Sequence, residues 1–241
     1  TPPGSTIKPF VGLAGLESGL RRPSDRILST GIFRIRGKGR GFGDSHAHGH
    51  GWVDLKESIA QSVNTYYYQL ALDMGVDKFD MYMDRYGFGR PTGIDLIGET
   101  GGILPSPEFK RTRFQQPWYQ GDIVNAGIGQ GMWKATLLQL AQATSSVANN
   151  GVRHRLHLLR ATRQGFAAPW LREPQPQEVR ISSNMANIAA VKEGMLAVVH
   201  GPTGTARGIG INSPFLIAGK TGTAQVVSNK NNRRLDPHNL P

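Results

Sequence analysis

The sequence predicts an α+β fold on three observations. Apolar residues at helical spacing dominate the chain, strand-type runs are few, and the two do not alternate as a doubly wound sheet or a barrel requires. Helical patterns occupy 5–16, 54–86, 135–147 and 185–199, whereas strands are expected only at 154–160 and 215–218. The 241 residues suffice for one large domain or two small ones with a real core. A composition of 38% hydrophobic, 8% aromatic and 19% charged residues is that of a globular protein rather than a disordered one. The 31 glycines and 15 prolines call for many turns and long connections.

Taken in order, the first element is a helix that opens on Ser5-Thr6-Ile7-Lys8 and continues through Pro9 and Phe10-Val11-Gly12-Leu13-Ala14-Gly15-Leu16. Residues 21–53 show no helical period and read as irregular. A helical hairpin follows, with Leu55, Ile59, Tyr66, Leu70 and Met74 on its apolar side and a break around Ser62-Val63-Asn64. Asp54 is its N-cap, Glu57 completes a capping box, and Gly75 stops it. Val76–Tyr86 is a further short helix with Phe79, Met83 and Tyr86 inward and Gly87 closing it. Tyr66-Tyr67-Tyr68 reads as core, because one helical face cannot present three consecutive rings. Residues 87–134 read as a long Gly/Pro-rich connection, of the kind that is usually functional or a lid. Ala135–Val147 is helical and ends at Asn149-Asn150-Gly151. Arg163–Glu178 reads as a surface loop, Met185–Val199 as a helix, and Phe215–Ala218 as a buried strand running into Gly219–Val227.

Several function classes drop out. No run of eighteen apolar residues exists, so no transmembrane helix is expected within this stretch. With no cysteine, disulfides, thiol catalysis and Cys-based zinc sites are excluded. The net charge of +11 and a pI near 10.3 suit a polyanionic partner. The densest basic run, Arg34-Ile35-Arg36-Gly37-Lys38-Gly39-Arg40-Gly41, lacks repeats and flanking aromatic platforms, so it reads as a solvated loop rather than an RNA-binding segment. Asp44-Ser45-His46-Ala47-His48-Gly49-His50 is open to two readings, an exposed polar loop or a metal site built from imidazoles.

Chemistry enters with Ser5 and Lys8. Three residues apart, they share a helical face, so a hydroxyl and an amine can meet. A serine becomes nucleophilic when a neighbouring base takes its proton, and a partly desolvated lysine is such a base. The helix N-terminus adds partial positive charge and unpaired N–H groups where an oxyanion would form. Taken alone the pair is a weak signal, since a helix cap beside a solvated lysine looks the same. Ser62-x-Asn64 and Lys220-Thr221-Gly222 follow in order at domain-scale separations, a combination already known to mark penicillin-binding proteins and class A β-lactamases.

On these motifs the chain resembles the transpeptidase domain of class B penicillin-binding proteins, and within them the elongation-specific penicillin-binding protein 2 type. Thr1–Lys8, Tyr86–Gly89, Thr92–Leu96, Pro117–Asp122, Gly127–Gly131 and Lys220–Gln225 carry the likeness, which covers nearly the whole chain. The resemblance implies a helical subdomain plus an antiparallel sheet flanked by helices. It implies a serine D,D-transpeptidase that attacks D-Ala-D-Ala through Ser5, cross-links peptidoglycan stem peptides and is acylated by β-lactam antibiotics. Lys8, its pKa lowered by burial beside cations, would accept the serine proton. Ser62 would relay a proton to the leaving amine, held by Lys8 and Lys220, and Asn64 would hold Lys8 and the substrate backbone. Lys220 with Thr221 and Thr223 would dock the substrate carboxylate, Gly222 would let the backbone approach it, and the N–H groups of Ser5 and Thr223 would form the oxyanion hole.

No cofactor is expected, and no metal is assigned. Some relatives hold a zinc ion near the second motif through Asp, His and Cys. Asp44 and His50 match, Val63 stands at the Cys position, and His46 or His48 are substitutes, so the point stays open. Many relatives also carry Asp where Asn64 stands, and Asn preserves the hydrogen bonds while removing a charge. The resemblance further implies elongation-complex membrane proteins as partners, a glycosyltransferase among them, no nucleic acid, and a periplasmic site on the bacterial inner membrane. It makes 1–241 a partial transpeptidase domain, with an anchor and pedestal expected before Ser5 and the last strands and closing helix expected after Lys220. Such a fragment alone is expected to be poorly stable and weakly active. The alternatives are a β-lactam hydrolase, for which Glu173 is a poor candidate base, a non-catalytic remnant, and a basic nucleic-acid-binding protein.

Overall fold

The computed structural model describes residues 1–36, 39, 41–172 and 178–223. The expectations for Gly37, Lys38 and Arg40 of the basic run, for Glu173 and for Ala224–Val227 therefore lie outside the described residues.

The chain begins with a 3-10 turn, Gly4–Ile7, that runs directly into α1, Lys8–Glu17. Helix α1 is apolar all round, and such a helix belongs inside a protein. Every residue from Lys8 to Leu16 is buried. Helices α2 (Leu55–Ala60) and α3 (Asn64–Arg85) pack beside α1, together with α7 (Met185–His200). Gly194 of α7 is in close contact with Ile59 of α2, where a Cβ would stand 2.6 Å from Ile59 Cδ1. The expected capping box is present: Asp54 accepts from Glu57 N–H at 2.8 Å and Glu57 accepts from Asp54 N–H at 3.0 Å. The expected stop at Gly75 is a break within α3, with φ 71° and ψ 167°. Phe79, Met83 and Tyr86 beyond it are fully buried.

Tyr66, Tyr67 and Tyr68 are all buried, and they diverge into two clusters. Tyr66 and Tyr67 join the main core around α1, while Tyr68 packs with Phe33, Ile35 and Val124 in a smaller one. A chain of edge-on rings ties the turn after α3 to α1: Phe10–Phe88, Phe88–Trp133 and Phe79–Trp133, each with centroids 5.5 Å apart.

Residues 21–53 depart from the irregular reading. They form two short antiparallel ladders, β1 (Ile27–Ser29) with β4 (Gly51–Val53) and β2 (Ile32–Phe33) with β3 (Phe42–Gly43). Ladders this short have too few residues to show a period-2 pattern. In the basic run Ile35 is buried while Arg34 and Arg36 are exposed, an anchored surface loop.

The long connection 87–134 also holds more structure than expected: α4 (Pro107–Phe114) and α5 (Gln120–Ala126). Helix α6 (Leu137–Ala148) is capped by Thr136 and stops at Asn149. The strand expected over 154–160 is displaced. Strand β5 is Val152–His154, paired with β8 (Glu178–Arg180), and β6 (Ala161–Thr162) pairs with β7 (Leu171–Arg172). Between them the Asp95 carboxylate takes the N–H groups of Leu158 and Leu159 at 2.7 and 2.8 Å, so that backbone is tied to a loop instead of a ladder. After α7 and the single turn α8 (Arg207–Gly210), the segment expected as a buried strand is exposed, Phe215 at 75% and Leu216 at 83%. Among the described residues no strand pairs with it. Its Ile217 and Gly219 N–H groups bond to His200 Nε2 and Met195 O of α7, which places Lys220–Thr223 over the start of α1. Helices and antiparallel ladders, segregated along the chain, make this an α+β fold.

Candidate active site

The site is built where three chain segments meet. Ser5 sits half-buried in the 3-10 turn, and Lys8, one turn on, donates its N–H to Ser5 O. The Lys8 side chain is fully buried. Its Nζ contacts Ser62 O at 2.6 Å, Ser62 Oγ at 3.2 Å and Asn64 Oδ1 at 2.7 Å. Burial drives the Lys8 pKa well below the usual lysine range, and the positive charge of Lys220 pushes the same way, opposed by Asp44.

Ser62 occupies the turn between α2 and α3 with φ 59°, a left-handed conformation that a serine adopts only under constraint. That geometry aims both its carbonyl and its hydroxyl at Lys8. Asn64 is the first residue of α3, and its Nδ2 reaches Gly43 O at 3.3 Å, so Oδ1 is the atom left facing the amine.

The third segment passes close to the serine turn. A Cβ on Gly222 would stand 2.5 Å from Thr6 Cγ2, and a Cβ on Gly4, at φ 56°, would collide with Thr223 O. Only glycine at both positions allows this approach. Gly4 N–H is held by Gly129 O at 2.9 Å, and Thr223 O accepts from Gln130 Nε2 at 2.9 Å. Lys220 is partly buried, which lowers its pKa to about 8. Its ammonium turns to Thr221 O at 3.0 Å and Thr221 Oγ1 at 3.4 Å, and Thr221 Oγ1 contacts Thr205 Oγ1 at 2.8 Å.

The structure thus brings together Lys8, Ser62 and Asn64 by direct hydrogen bonds, with Ser5 on the adjoining turn and Lys220 within electrostatic reach. Two expected contacts are not among those made. The Lys8 amine bonds to the second motif, not to the Ser5 hydroxyl, and Lys220 bonds to its own neighbour Thr221, not to Ser62. In each case the amine bonds to both a backbone and a side-chain oxygen. Sequence reasoning missed Thr205, which no motif marks. It also assigned no role to Gln130, although the Gly127–Gly131 run that contains it stood out.

The sequence leaves Asp44 either in an exposed polar loop or as a metal ligand, and its buried carboxylate does something else. It accepts from Ser29 Oγ at 3.0 Å, Ser45 N–H at 2.7 Å, Asn64 N–H at 2.8 Å and Thr65 N–H at 2.9 Å. Burial raises its pKa, but the bonds from Thr65, Asn64 and Ser45 outweigh this and hold it below the usual carboxylate value. His50 places Nδ1 3.2 Å from Gln61 Oε1 and Nε2 3.0 Å from Ser45 Oγ. With Nδ1–H donated to the amide oxygen, Nε2 accepts from the hydroxyl and its lone pair is used. His46 and His48 are exposed. Among the described residues no group of three or more His, Cys, Asp or Glu side chains is placed to hold a metal ion. The donor set does not fit the zinc site that the resemblance raised.

Comparison with known proteins agrees with this geometry. Residues 1–239 match the family described as penicillin binding protein transpeptidase domain. The peptidoglycan D,D-transpeptidase MrdA of Escherichia coli K12 is 37% identical over 240 residues, covering 99% of this chain and 38% of the relative. The Pseudomonas aeruginosa PBP2 structure in complex with WCK 5153 superposes with a TM-score of 0.85 at 41% identity, over 93% of this chain and 50% of that one. The Helicobacter pylori PBP2 complex with MreC gives 0.81 at 31% identity, over 93% and 40%. The chain spans less than two fifths of the length of its MrdA relative. The ordered motifs, the site they build and the match over almost every residue place this chain in the penicillin-binding protein transpeptidase domain family.

Proposed function

We propose that this chain carries the acyl-transfer site of a serine D,D-transpeptidase that cross-links peptidoglycan stem peptides ending in D-Ala-D-Ala. The observation that carries the reading is a buried lysine amine, depressed in pKa, held by Ser62 and Asn64 one turn from Ser5. In its neutral form Lys8 Nζ takes the Ser5 proton as Oγ attacks the penultimate D-Ala carbonyl carbon. The tetrahedral oxyanion forms beside the N-terminal turn, where N–H groups of Ser5 and Thr223 stabilise it. The C–N bond then breaks, the proton passes from Lys8 through the Ser62 hydroxyl to the departing D-Ala amine, and Ser5 is left as an ester. An amine of a second stem attacks the ester carbonyl, Ser5 regains its proton, and the new amide is the cross-link. Lys220, with Thr221 and Thr223, docks the terminal carboxylate, and a charged ammonium flanked by hydroxyls suits that anion.

The E. coli relative named as a peptidoglycan D,D-transpeptidase supports the substrate, and the H. pylori complex with MreC supports a partner of that kind in cell elongation. On this reading the site lies on the periplasmic side of the bacterial inner membrane. Among the described residues no helix is long and apolar enough to cross a membrane. The test is to incubate the full-length protein with a labelled penicillin and find the modified residue by mass spectrometry. A stable adduct on Ser5 is expected. A label elsewhere or none at all overturns the mechanism, and rapid release of hydrolysed penicillin would make the protein a β-lactam hydrolase.

A further inference from the structure

We propose that Asp44 is a positioning residue that holds the Ser62–Asn64 motif, and through it Lys8, by hydrogen bonds alone, with no metal ion required. The inference rests on the transpeptidase reading.

Helix α3 starts without a cap of its own. Its N-cap residue is Val63, whose side chain has no acceptor, so the first N–H groups of the helix need a partner from elsewhere. Asp44 supplies it from a loop twenty residues upstream, taking Asn64 N–H on Oδ1 and Thr65 N–H on Oδ2. A carboxylate is also the charge that a helix N-terminus favours. The carboxylate is itself fixed. Ser29 Oγ of β1 donates to Oδ2, Ser45 N–H donates to Oδ1, and Ser29 Oγ in turn accepts His50 N–H at 3.2 Å. Both the Asp44 and His50 side chains are buried, at 0% and 3% exposure, so water does not compete for these bonds.

The catalytic consequence runs through Asn64. Its backbone N–H is held by Asp44 and its Nδ2 by the carbonyl of the preceding residue, Gly43, which also accepts Tyr68 OH at 3.1 Å. Two adjacent residues at the end of β3 therefore set both the position and the rotation of the Asn64 amide, leaving Oδ1 2.7 Å from Lys8 Nζ. The same anchor backs the Ser62 turn, whose φ of 59° persists only if its surroundings enforce it. A cation joining Asp44 and His50 would have to displace the donors that already occupy the Asp44 oxygens and the Ser45 hydroxyl on His50 Nε2.

The experiment uses the full-length protein and a labelled penicillin, and reads the acylation rate constant per labelled site, separately from the apparent binding constant and from the fraction of molecules that label. Asp44→Ala is expected to slow acylation about 10- to 100-fold, the effect of losing hydrogen bonds to a charged acceptor. Asp44→Asn retains one acceptor and loses less, and Ser29→Ala, which frees the carboxylate, loses least. A purely structural role would lower the melting temperature and the labelled fraction while leaving the rate per labelled site unchanged. Should Asp44→Ala fail to fold, Asp44→Asn and Ser29→Ala decide the matter on the same readout. In parallel, the wild type is dialysed against a chelator and its metal content measured. Unchanged acylation with substoichiometric metal is expected. Wild-type rates in the variants, or a rate lost on chelation and restored by zinc, would overturn the proposal. An unlabelled Ser5 in the wild type would instead strike the transpeptidase reading beneath it.

Discussion

The proposed mechanism gives the two lysines of this site different tasks and opposite charge states. Lys8 would work as a base when neutral, and burial plus the Lys220 charge lower its pKa toward that state. Lys220 would dock an anion when charged, and burial lowers its pKa to about 8. Acylation, followed as kcat/KM against pH, should therefore fall with a midpoint near 8 as Lys220 loses its proton. Lys220→Arg, which stays charged, should move the falling limb to higher pH at a lower maximal rate. An alkaline limb that does not move would remove Lys220 from carboxylate docking. Stability has its own sign. Between about 8 and the ordinary 10.5 the unfolded chain keeps a proton that folded Lys220 has lost, so the fold gains stability as pH rises through that window. Ser62 gives a second test. Its left-handed backbone costs about 1–2 kcal/mol, and glycine would remove that strain while adding about 0.4–1 kcal/mol of unfolded-state entropy. Ser62→Gly should melt at the wild-type temperature or slightly above it, yet acylate at least about tenfold more slowly for want of the hydroxyl. Ser62→Ala, with the strain kept, should be the less stable of the two. If both variants acylate normally, the proton relay is wrong.

At the scale of elements, the site depends on how closely the Lys220–Thr223 segment lies on the serine turn. Thr6 cannot yield easily, because its hydroxyl is held by Pro3 O at 2.6 Å and its branched side chain has little rotamer freedom. A methyl on Gly222, 2.5 Å from Thr6 Cγ2, must therefore push the segment away. Overpacking of this kind costs about 1–3 kcal/mol. Gly222 and Thr223 are exposed and the segment makes no ladder among the described residues, so the displacement should appear in function before it appears in stability. Gly222→Ala is expected to cut acylation at least about tenfold while shifting the melting temperature by no more than a few degrees. A large loss of stability with intact acylation of the folded fraction would show that the contact serves the fold and not the site.

Across the whole molecule, what was legible in the sequence was local. The Asp54–Glu57 capping box, the break at Gly75 and the inward Phe79 and Met83 were readable because each is a signal within one or two helical turns. The α4 start, Ser106 with Pro107 behind it, was not read, because the surrounding glycines and prolines masked its cap. The Phe215–Ala218 run looked like a buried strand because an apolar string carries no information about whether a partner strand lies beside it. The site followed the same rule. The Ser5, Ser62 and Lys220 motifs could be found by order and spacing. The left-handed Ser62 and the distant cap on α3 could not, since both are set by groups that meet only in the folded chain.

Net charge is the one global quantity available from composition, and its consequence can be measured. A protein at +11 attracts anions over roughly 8 Å at physiological ionic strength, and the proposed substrates and penicillins carry a carboxylate. In the proposed docking Lys220 meets that carboxylate at contact distance, where salt screens little, so long-range attraction and docking should respond differently to ionic strength. The acylation kcat/KM for an anionic penicillin should fall about two- to tenfold between low and physiological salt. The methyl ester of the same penicillin should react more slowly throughout and show no salt dependence. If the two compounds respond to salt alike, the basic surface plays no part in substrate capture. A steep salt dependence of DNA or RNA binding, with none for acylation, would assign the charge to a polyanion other than the cell-wall peptide.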